Sequence, residues 1–167
     1  KSLAPLTVVM DAGNGLAGVV AEHVFKDFPI KIIPLFFEPD GTFPNHGPNP
    51  LLPENRQAII AKVRETHADC GIAWDGDADR VFFIDERGEY IHGDFITLLL
   101  GLSFLERFPG SGVVYDIRAS NAVRDCIEQA GGKAYRERVG HSFIKERMRK
   151  EDAVFGGEVS GHYYFKE

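Results

Sequence analysis

Short apolar runs alternate along this chain with stretches whose apolar residues recur every three or four positions. Leu6 to Met10 reads as a strand that ends in Asp11-Ala12-Gly13-Asn14-Gly15, a tight turn into a helix. Leu16, Val20 and Val24 give that helix its apolar spacing as far as Phe28, and Ile30 to Phe37 is a second strand. Residues 38–53 hold five of the nine prolines and two glycines, which predicts a surface loop. Pro53-Glu54 then opens a helix with Ile59, Ile60 and Val63 on its apolar side. Cys70 to Trp74 and Val81 to Asp85 read as strands, and Asp94 as the N-cap of a helix presenting Phe95, Leu98, Leu99, Leu102 and Leu105 on one face.

After Pro109-Gly110-Ser111-Gly112 the pattern begins again, with Val113-Val114-Tyr115-Asp116 echoing Val8-Val9-Met10-Asp11. A helical stripe of Ala122, Val123, Cys126, Ile127 and Ala130 follows, then a strand near Ala134 and a helix from Ser142 to about Arg149. Ala153 to Phe155 is a strand that leads into Gly156-Gly157-Glu158-Val159-Ser160-Gly161 and then His162 to Phe165. The expected fold class is α/β: two similar α/β/α units, each a small mixed, mainly parallel sheet flanked by helices. The expected domains are 1–106 and 107–167, with the second lacking its closing helix, so the chain reads as cut from something longer. Loops after consecutive strands gather at one sheet edge in such folds, which makes Asp75–Arg80 and Glu158–His162 candidates for one cleft.

Composition narrows the class. A chain of 167 residues with 44% apolar content can build real cores, and its net charge of −6 argues against nucleic acid and against an anionic membrane surface. There is no apolar run of about 18 residues and no signal-like start, and Cys70 and Cys126 form no C-x-x-C pair. The expectation is a soluble, cytoplasmic protein with reduced, buried thiols.

The densest chemistry lies in Asp75-Gly76-Asp77-Ala78-Asp79-Arg80. Three carboxylates on alternate residues repel one another and resist burial, so they call for a shared cation; the alternative is a solvated acidic turn between two strands. An all-oxygen donor set suits Mg²⁺ or Ca²⁺ much better than Zn²⁺, and Arg80 adds a positive group for an anionic ligand. A calcium-binding EF-hand places acids at positions 1, 3, 5 and 12, which Asp75, Asp77, Asp79 and Glu86 reproduce. Arg80 stands where that loop needs glycine, however, and the flanks read as strands rather than helices. A phosphatase with a nucleophilic D-x-D after its first strand fails on chain order, since that strand ends in a lone acid, Asp11. The turn at Asp11–Gly15 lacks the full pattern of a phosphate-binding glycine loop. The Gly157–Gly161 loop has the makings of a sugar reader: Glu158 can accept hydrogen bonds from two neighbouring hydroxyls, Ser160 can donate or accept beside it, and glycines let backbone approach a ligand. Taken alone, such a stretch is more commonly a Gly-rich turn with a capping Glu. His162 stands next to that loop, and Arg138 precedes a glycine turn at Gly140.

With their order and spacing, Asp75–Arg80 and Gly157–His162 resemble the α-D-phosphohexomutase family, in its bacterial phosphomannomutase/phosphoglucomutase branch. Val9–Gly15, Gly41-Thr42-Phe43-Pro44-Asn45-His46 and Val139–Lys145 extend the resemblance over the whole chain. It implies that 1–106 corresponds to the family's domain II and 107–167 to most of domain III. It implies an isomerase that interconverts hexose 1-phosphate and hexose 6-phosphate through a phosphoserine and a hexose 1,6-bisphosphate. By the same resemblance Asp75, Asp77 and Asp79 hold Mg²⁺; Glu158, Ser160, Gly157 and Arg138 bind the phosphorylated hexose; and Arg80 and His162 line the reaction centre. Arg138 stands where many relatives carry lysine, and an arginine will not exchange a proton near neutral pH. The Ser-His-Asn-Pro loop that carries the family phosphoserine does not occur in these residues, so the resemblance implies partner domains I and IV and an inactive isolated piece. A Ca²⁺-stabilised module without catalysis and a sugar-phosphate-binding module are the other functional classes these residues fit.

Overall fold

The computed structural model describes residues 3–166; Lys1, Ser2 and Glu167, which include the outer ends of both expected domains, lie outside the described residues. The chain divides into two compact units, Lys1–Ile91 and His92–Glu167.

In the first unit β1 (Leu6–Asp11), α1 (Ala17–Phe25), β2 (Ile30–Leu35), a 3₁₀ turn (Pro53–Arg56), α2 (Gln57–Thr66), β3 (Cys70–Trp74), β4 (Val81–Ile84) and β5 (Tyr90–Ile91) follow in order. The sheet order is β2-β1-β3-β4-β5; β2, β1 and β3 are parallel, β4 runs against β3, and the short β5 runs against β4. Side chains alternate across β1, so Val8 and Met10 pack toward Ala21 of α1 while Val9 packs toward Ile59 and Val63 of α2. Ile59 and Val63 are fully buried, a contribution of roughly 1.5–3 kcal/mol each.

The second unit repeats the scheme: α3 (Gly93–Arg107), β6 (Gly112–Asp116), α4 (Asn121–Gln129), β7 (Lys133–Glu137), α5 (His141–Glu151), β8 (Phe155–Gly157) and β9 (Tyr163–Phe165). Its order β7-β6-β8-β9 reproduces β2-β1-β3-β4, again with only the last strand antiparallel. Val114 faces Ile144 and Met148 of α5, and Val113 and Tyr115 face the core shared with α3 and α4. Both sheets are mixed and mainly parallel, and helices flank each, as the alternating pattern predicts.

Three expectations need correction. The boundary falls after Ile91 and not after residue 106, because α3 packs on the second sheet: Gly101 sits against Ile127 and Val113, and Leu105 joins their core. Asp94 does not cap its own helix; His92 precedes α3, and the Asp94 carboxylate accepts the Ser120 N–H at the start of α4. The helix faces also differ: α1 buries Ala17 and Ala21 while Leu16, Val20 and Val24 are exposed, and α3 exposes Phe95 and Leu99. Cys70 and Cys126 are unpaired thiols, each half-buried. Among the described residues no helix is long and apolar enough to cross a membrane.

Candidate functional site

In the first unit the acid loop joins β3 to β4, an antiparallel pair, so the chain must reverse within a few residues. Ala78 takes φ +63°, and its N–H donates to the Asp75 carbonyl at 3.1 Å. That left-handed backbone costs an L-residue roughly 1–2 kcal/mol and turns alternate side chains the same way. The carboxylate oxygens of Asp75, Asp77 and Asp79 consequently lie within 4.8 Å of one another, Asp75 buried and the other two exposed. An octahedral Mg²⁺ shell spans about 4.2 Å between opposite oxygens, so small side-chain rotations would close these three on one ion. Arg80 donates to Asp75 from its backbone N–H at 3.1 Å and from Nε at 2.5 Å, and its Nε is 3.7 Å from Asp79. Three formal negative charges and one positive leave a net charge that one divalent cation balances.

The floor of this loop is the turn after β1. Gly13 and Asn14 both take positive φ, and the Leu16 N–H donates to the Gly76 carbonyl at 3.0 Å. A side chain on Gly15 would stand 2.7 Å from that carbonyl oxygen, so the close approach requires glycine. The proline-rich loop supports the other side: the Pro48 carbonyl accepts the Gly76 N–H at 3.1 Å, and the Asn49 Oδ1 accepts Arg80 Nη1 at 3.3 Å.

In the second unit the sugar-like loop joins β8 to β9, the equivalent antiparallel pair. Glu158 is 2% exposed and held from several sides. Its Oε1 accepts the Gly140 N–H at 2.9 Å, and its Oε2 accepts the Tyr164 hydroxyl at 2.6 Å and lies 3.4 Å from His162 Nδ1. Ser160 Oγ is 3.1 Å from His162 Nδ1, so Glu158, Ser160 and His162 form one connected group. Gly157 is buried at the end of β8, where any side chain would collide with Thr97 of α3, so its small size serves packing. Arg138 is exposed and stacks its guanidinium 3.3 Å above the Phe143 ring, an arrangement that fixes a cation beside the Gly140 turn.

Two side-chain pairs at the ends of β6 and β1 escaped the sequence reading. Asp116, fully buried at the end of β6, accepts the Arg118 N–H at 2.7 Å and Arg118 Nη2 at 2.8 Å, and takes the Val159 N–H at 2.7 Å. Arg118 also reaches Ser160 Oγ at 3.3 Å and stands 3.9 Å from Glu158, which brings it into the sugar-like loop. The hydrogen bonds and charge of Asp116 push the Arg118 guanidinium up, so it stays a cation. Asp11 is its counterpart at the end of β1, accepting the Gly13 N–H at 2.8 Å and pairing with His46. The available signal was the repeat itself, since each unit ends its first strand in an acid.

Comparisons with known proteins place both units in one family. Residues 1–88 match the phosphoglucomutase/phosphomannomutase α/β/α domain II and residues 92–167 match its α/β/α domain III. The chain is 48% identical over its full length to phosphohexose mutases of Xanthomonas campestris, and spans 37% of that relative's length. It is 46% identical to a phosphomannomutase of Escherichia coli, of which it spans 38%. A crystal structure of a phosphoglucomutase/phosphomannomutase family protein from Burkholderia thailandensis is 39% identical, with a TM-score of 0.95 over 99% of this chain and 36% of that one. An N-acetylphosphoglucosamine mutase of Aspergillus fumigatus, solved with GlcNAc-6P and magnesium, shares the fold at 20% identity and a TM-score of 0.71, over 96% of this chain and 36% of that one. With both units matched in order along the chain, the protein belongs to the phosphoglucomutase/phosphomannomutase family and carries its domains II and III.

Proposed function

We propose that this protein supplies the Mg²⁺ centre and the sugar-hydroxyl reader of a phosphohexose mutase that interconverts hexose 1-phosphate and hexose 6-phosphate. The observation that carries the reading is the convergence of Asp75, Asp77 and Asp79 within 4.8 Å on a turn of the family's domain II. When bound, Mg²⁺ neutralises charge on a phosphoryl group in transfer. Asp75 and Asp79 already share the Arg80 guanidinium, so a divalent cation frees part of that positive charge for the phosphate. Glu158 is kept an acceptor by Gly140, Tyr164 and His162, a preorganised carboxylate for neighbouring hydroxyls, with Ser160 beside it. His162 bridges Ser160 and Glu158 and can hold a proton between them at Nδ1. Arg118 and Arg138 add cations that need no proton exchange to bind a sugar phosphate.

The phosphoserine, the hexose 1,6-bisphosphate intermediate and the family's domains I and IV belong to this reading as partners outside these residues. The test is an Asp77→Asn substitution in the longer protein that carries this chain, assayed for conversion of glucose 1-phosphate and mannose 1-phosphate to their 6-phosphates. Activity should fall by about two orders of magnitude or more, as for loss of one well-placed electrostatic group. An unaltered rate would sink the metal assignment.

A further inference from the structure

The acid loop rests on a segment that has no regular secondary structure of its own. Between β2 and the 3₁₀ turn, Pro48 accepts the Gly76 N–H, Asn49 accepts Arg80 Nη1, and Phe43 and Pro48 pack on Gly76 so closely that a side chain there would lie 3.2 Å from Pro48 Cβ. Such a segment keeps its place through isolated bonds and not a strand or helix ladder, among them the backbone bond from the Asp40 N–H to the Asn14 carbonyl at 2.9 Å and several side-chain bonds. Some are polar and insensitive to pH: Asn45 Nδ2 donates to Asn14 Oδ1 at 2.7 Å, and the Gly47 N–H to Asn55 Oδ1 at 3.1 Å.

One is a charged pair that the proposed reaction does not use. The His46 side chain is 9% exposed and the Asp11 side chain 1%. His46 Nε2 lies 3.1 and 3.2 Å from the two Asp11 oxygens, and Nδ1 lies 2.9 Å from the Gly47 carbonyl oxygen. A carbonyl oxygen and a carboxylate oxygen offer only lone pairs, so each ring nitrogen satisfies its partner only by carrying a proton. A neutral imidazole leaves one nitrogen lone pair facing another inside the fold, which costs that contact.

We propose that His46, doubly protonated, is the positioning residue of the acid loop: it pins the proline-rich segment to the end of β1, and through Pro48 and Asn49 it sets the placement of Asp75–Arg80. The inference rests on the metal reading only for what the loop does, not for how it is held. Hydrogen bonding to Asp11 raises the His46 pKa above its usual 6.5, burial opposes this, and the Gly47 carbonyl and the Asp11 charge reinforce it. The latch is therefore complete below about 6.5 and released as pH rises through the raised value. Asp11 is the charged group acting on the ring. Gly13 and Phe36, which also pack on it, carry no charge, and on the same segment Asp40 is engaged with Thr42 while Glu38 is exposed.

The test uses this chain and needs no ion for its main readouts. Imidazole ¹⁵N shifts should show His46 mainly protonated at both nitrogens at pH 6.5, where a free histidine is half protonated. Exchange of the Gly76 amide should accelerate by about tenfold between pH 6.5 and 9 beyond the intrinsic base-catalysed rise, the effect of losing one charge-assisted hydrogen bond. In His46→Gln the exchange should already be fast at pH 6.5 and should lose that extra dependence. Mg²⁺ affinity, measured by calorimetry, should fall over the same pH range in the unsubstituted chain only. A neutral His46 at pH 6.5, or Gly76 exchange that follows the intrinsic rate at every pH, overturns the proposal, and the unsubstituted chain decides this even if the variant does not fold. Absence of Mg²⁺ binding at any pH counts instead against the metal reading, while the ring and amide readouts decide the latch by themselves.

Discussion

Asparagine in place of Asp116 alters one atom and removes one charge, yet the surroundings leave it no orientation that works. Oδ1 of the native carboxylate accepts the Arg118 N–H at 2.7 Å and Arg118 Nε at 3.2 Å, and Oδ2 accepts the Val159 N–H at 2.7 Å and Arg118 Nη2 at 2.8 Å. Whichever way the amide is turned, its NH₂ faces a backbone N–H and a guanidinium donor. A buried backbone donor left without an acceptor costs about 1–3 kcal/mol. The Arg118 pair adds about 1 kcal/mol and no more, because the Arg118 side chain is 40% exposed and solvent screens it. Asp116→Asn should thus lose about 2–4 kcal/mol, read by urea denaturation as a lower midpoint with an unchanged slope. Arg118→Met, which keeps both backbone donors satisfied, should lose about 1 kcal/mol or less. If both variants lose the same small amount, below about 0.5 kcal/mol, then Asp116 does not anchor the Val159–Ser160 loop and the reasoning fails.

Gly15→Ala places a methyl carbon 2.7 Å from the Gly76 carbonyl oxygen and 3.0 Å from that of Ala12, both backbone atoms that cannot rotate away. It should cost about 1–3 kcal/mol by thermal melting and shift the amide resonances of Asp75–Arg80, whereas Gly41→Ala, which meets nothing within 4 Å, should do neither. Burial acts to raise the Asp94 carboxyl, but hydrogen bonds from His92 and Ser120 outweigh it and hold the group below 3.8. Its contribution is present above about 3.8 and lost as pH falls through the lower folded value, so Asp94→Asn should flatten the acid limb of a stability–pH curve; an unchanged limb refutes the link between α3 and α4.

The acid loop was legible because its chemistry is local: acids two apart on a short turn between two apolar runs need no tertiary information to be read. The repeat was legible for the same reason, and it carried the four strands common to both sheets but not β5, whose two residues are too short for a pattern. The faces of α2 and α4 were legible too, with Ile59, Val63, Val123 and Ile127 buried, but those of α1 and α3 were not. On α1 both possible stripes are apolar, and the small one wins because the helix runs so close to the chain at Phe37 that Gly18 can have no side chain. The larger Leu16, Val20 and Val24 are turned outward as a result. On α3 the same logic brings Gly93, Thr97 and Gly101 inward and puts Phe95 and Leu99 outside, which is also why the helix belongs to the second unit. The ion pairs were out of reach for another reason. Asp11 and His46 are 35 positions apart, and a neutral-looking histidine in a proline-rich loop gives no periodic signal.

The central claim is that Asp75, Asp77 and Asp79 hold a divalent cation, and Mn²⁺, which takes the same oxygen ligands as Mg²⁺, makes that visible. Substoichiometric Mn²⁺ added to the ¹⁵N-labelled chain should broaden the Asp75–Arg80 amides first, Mg²⁺ should restore them, and Asp77→Asn should abolish the effect. Broadening centred on another acidic stretch such as Asp85-Glu86, or spread evenly over the surface, would contradict it.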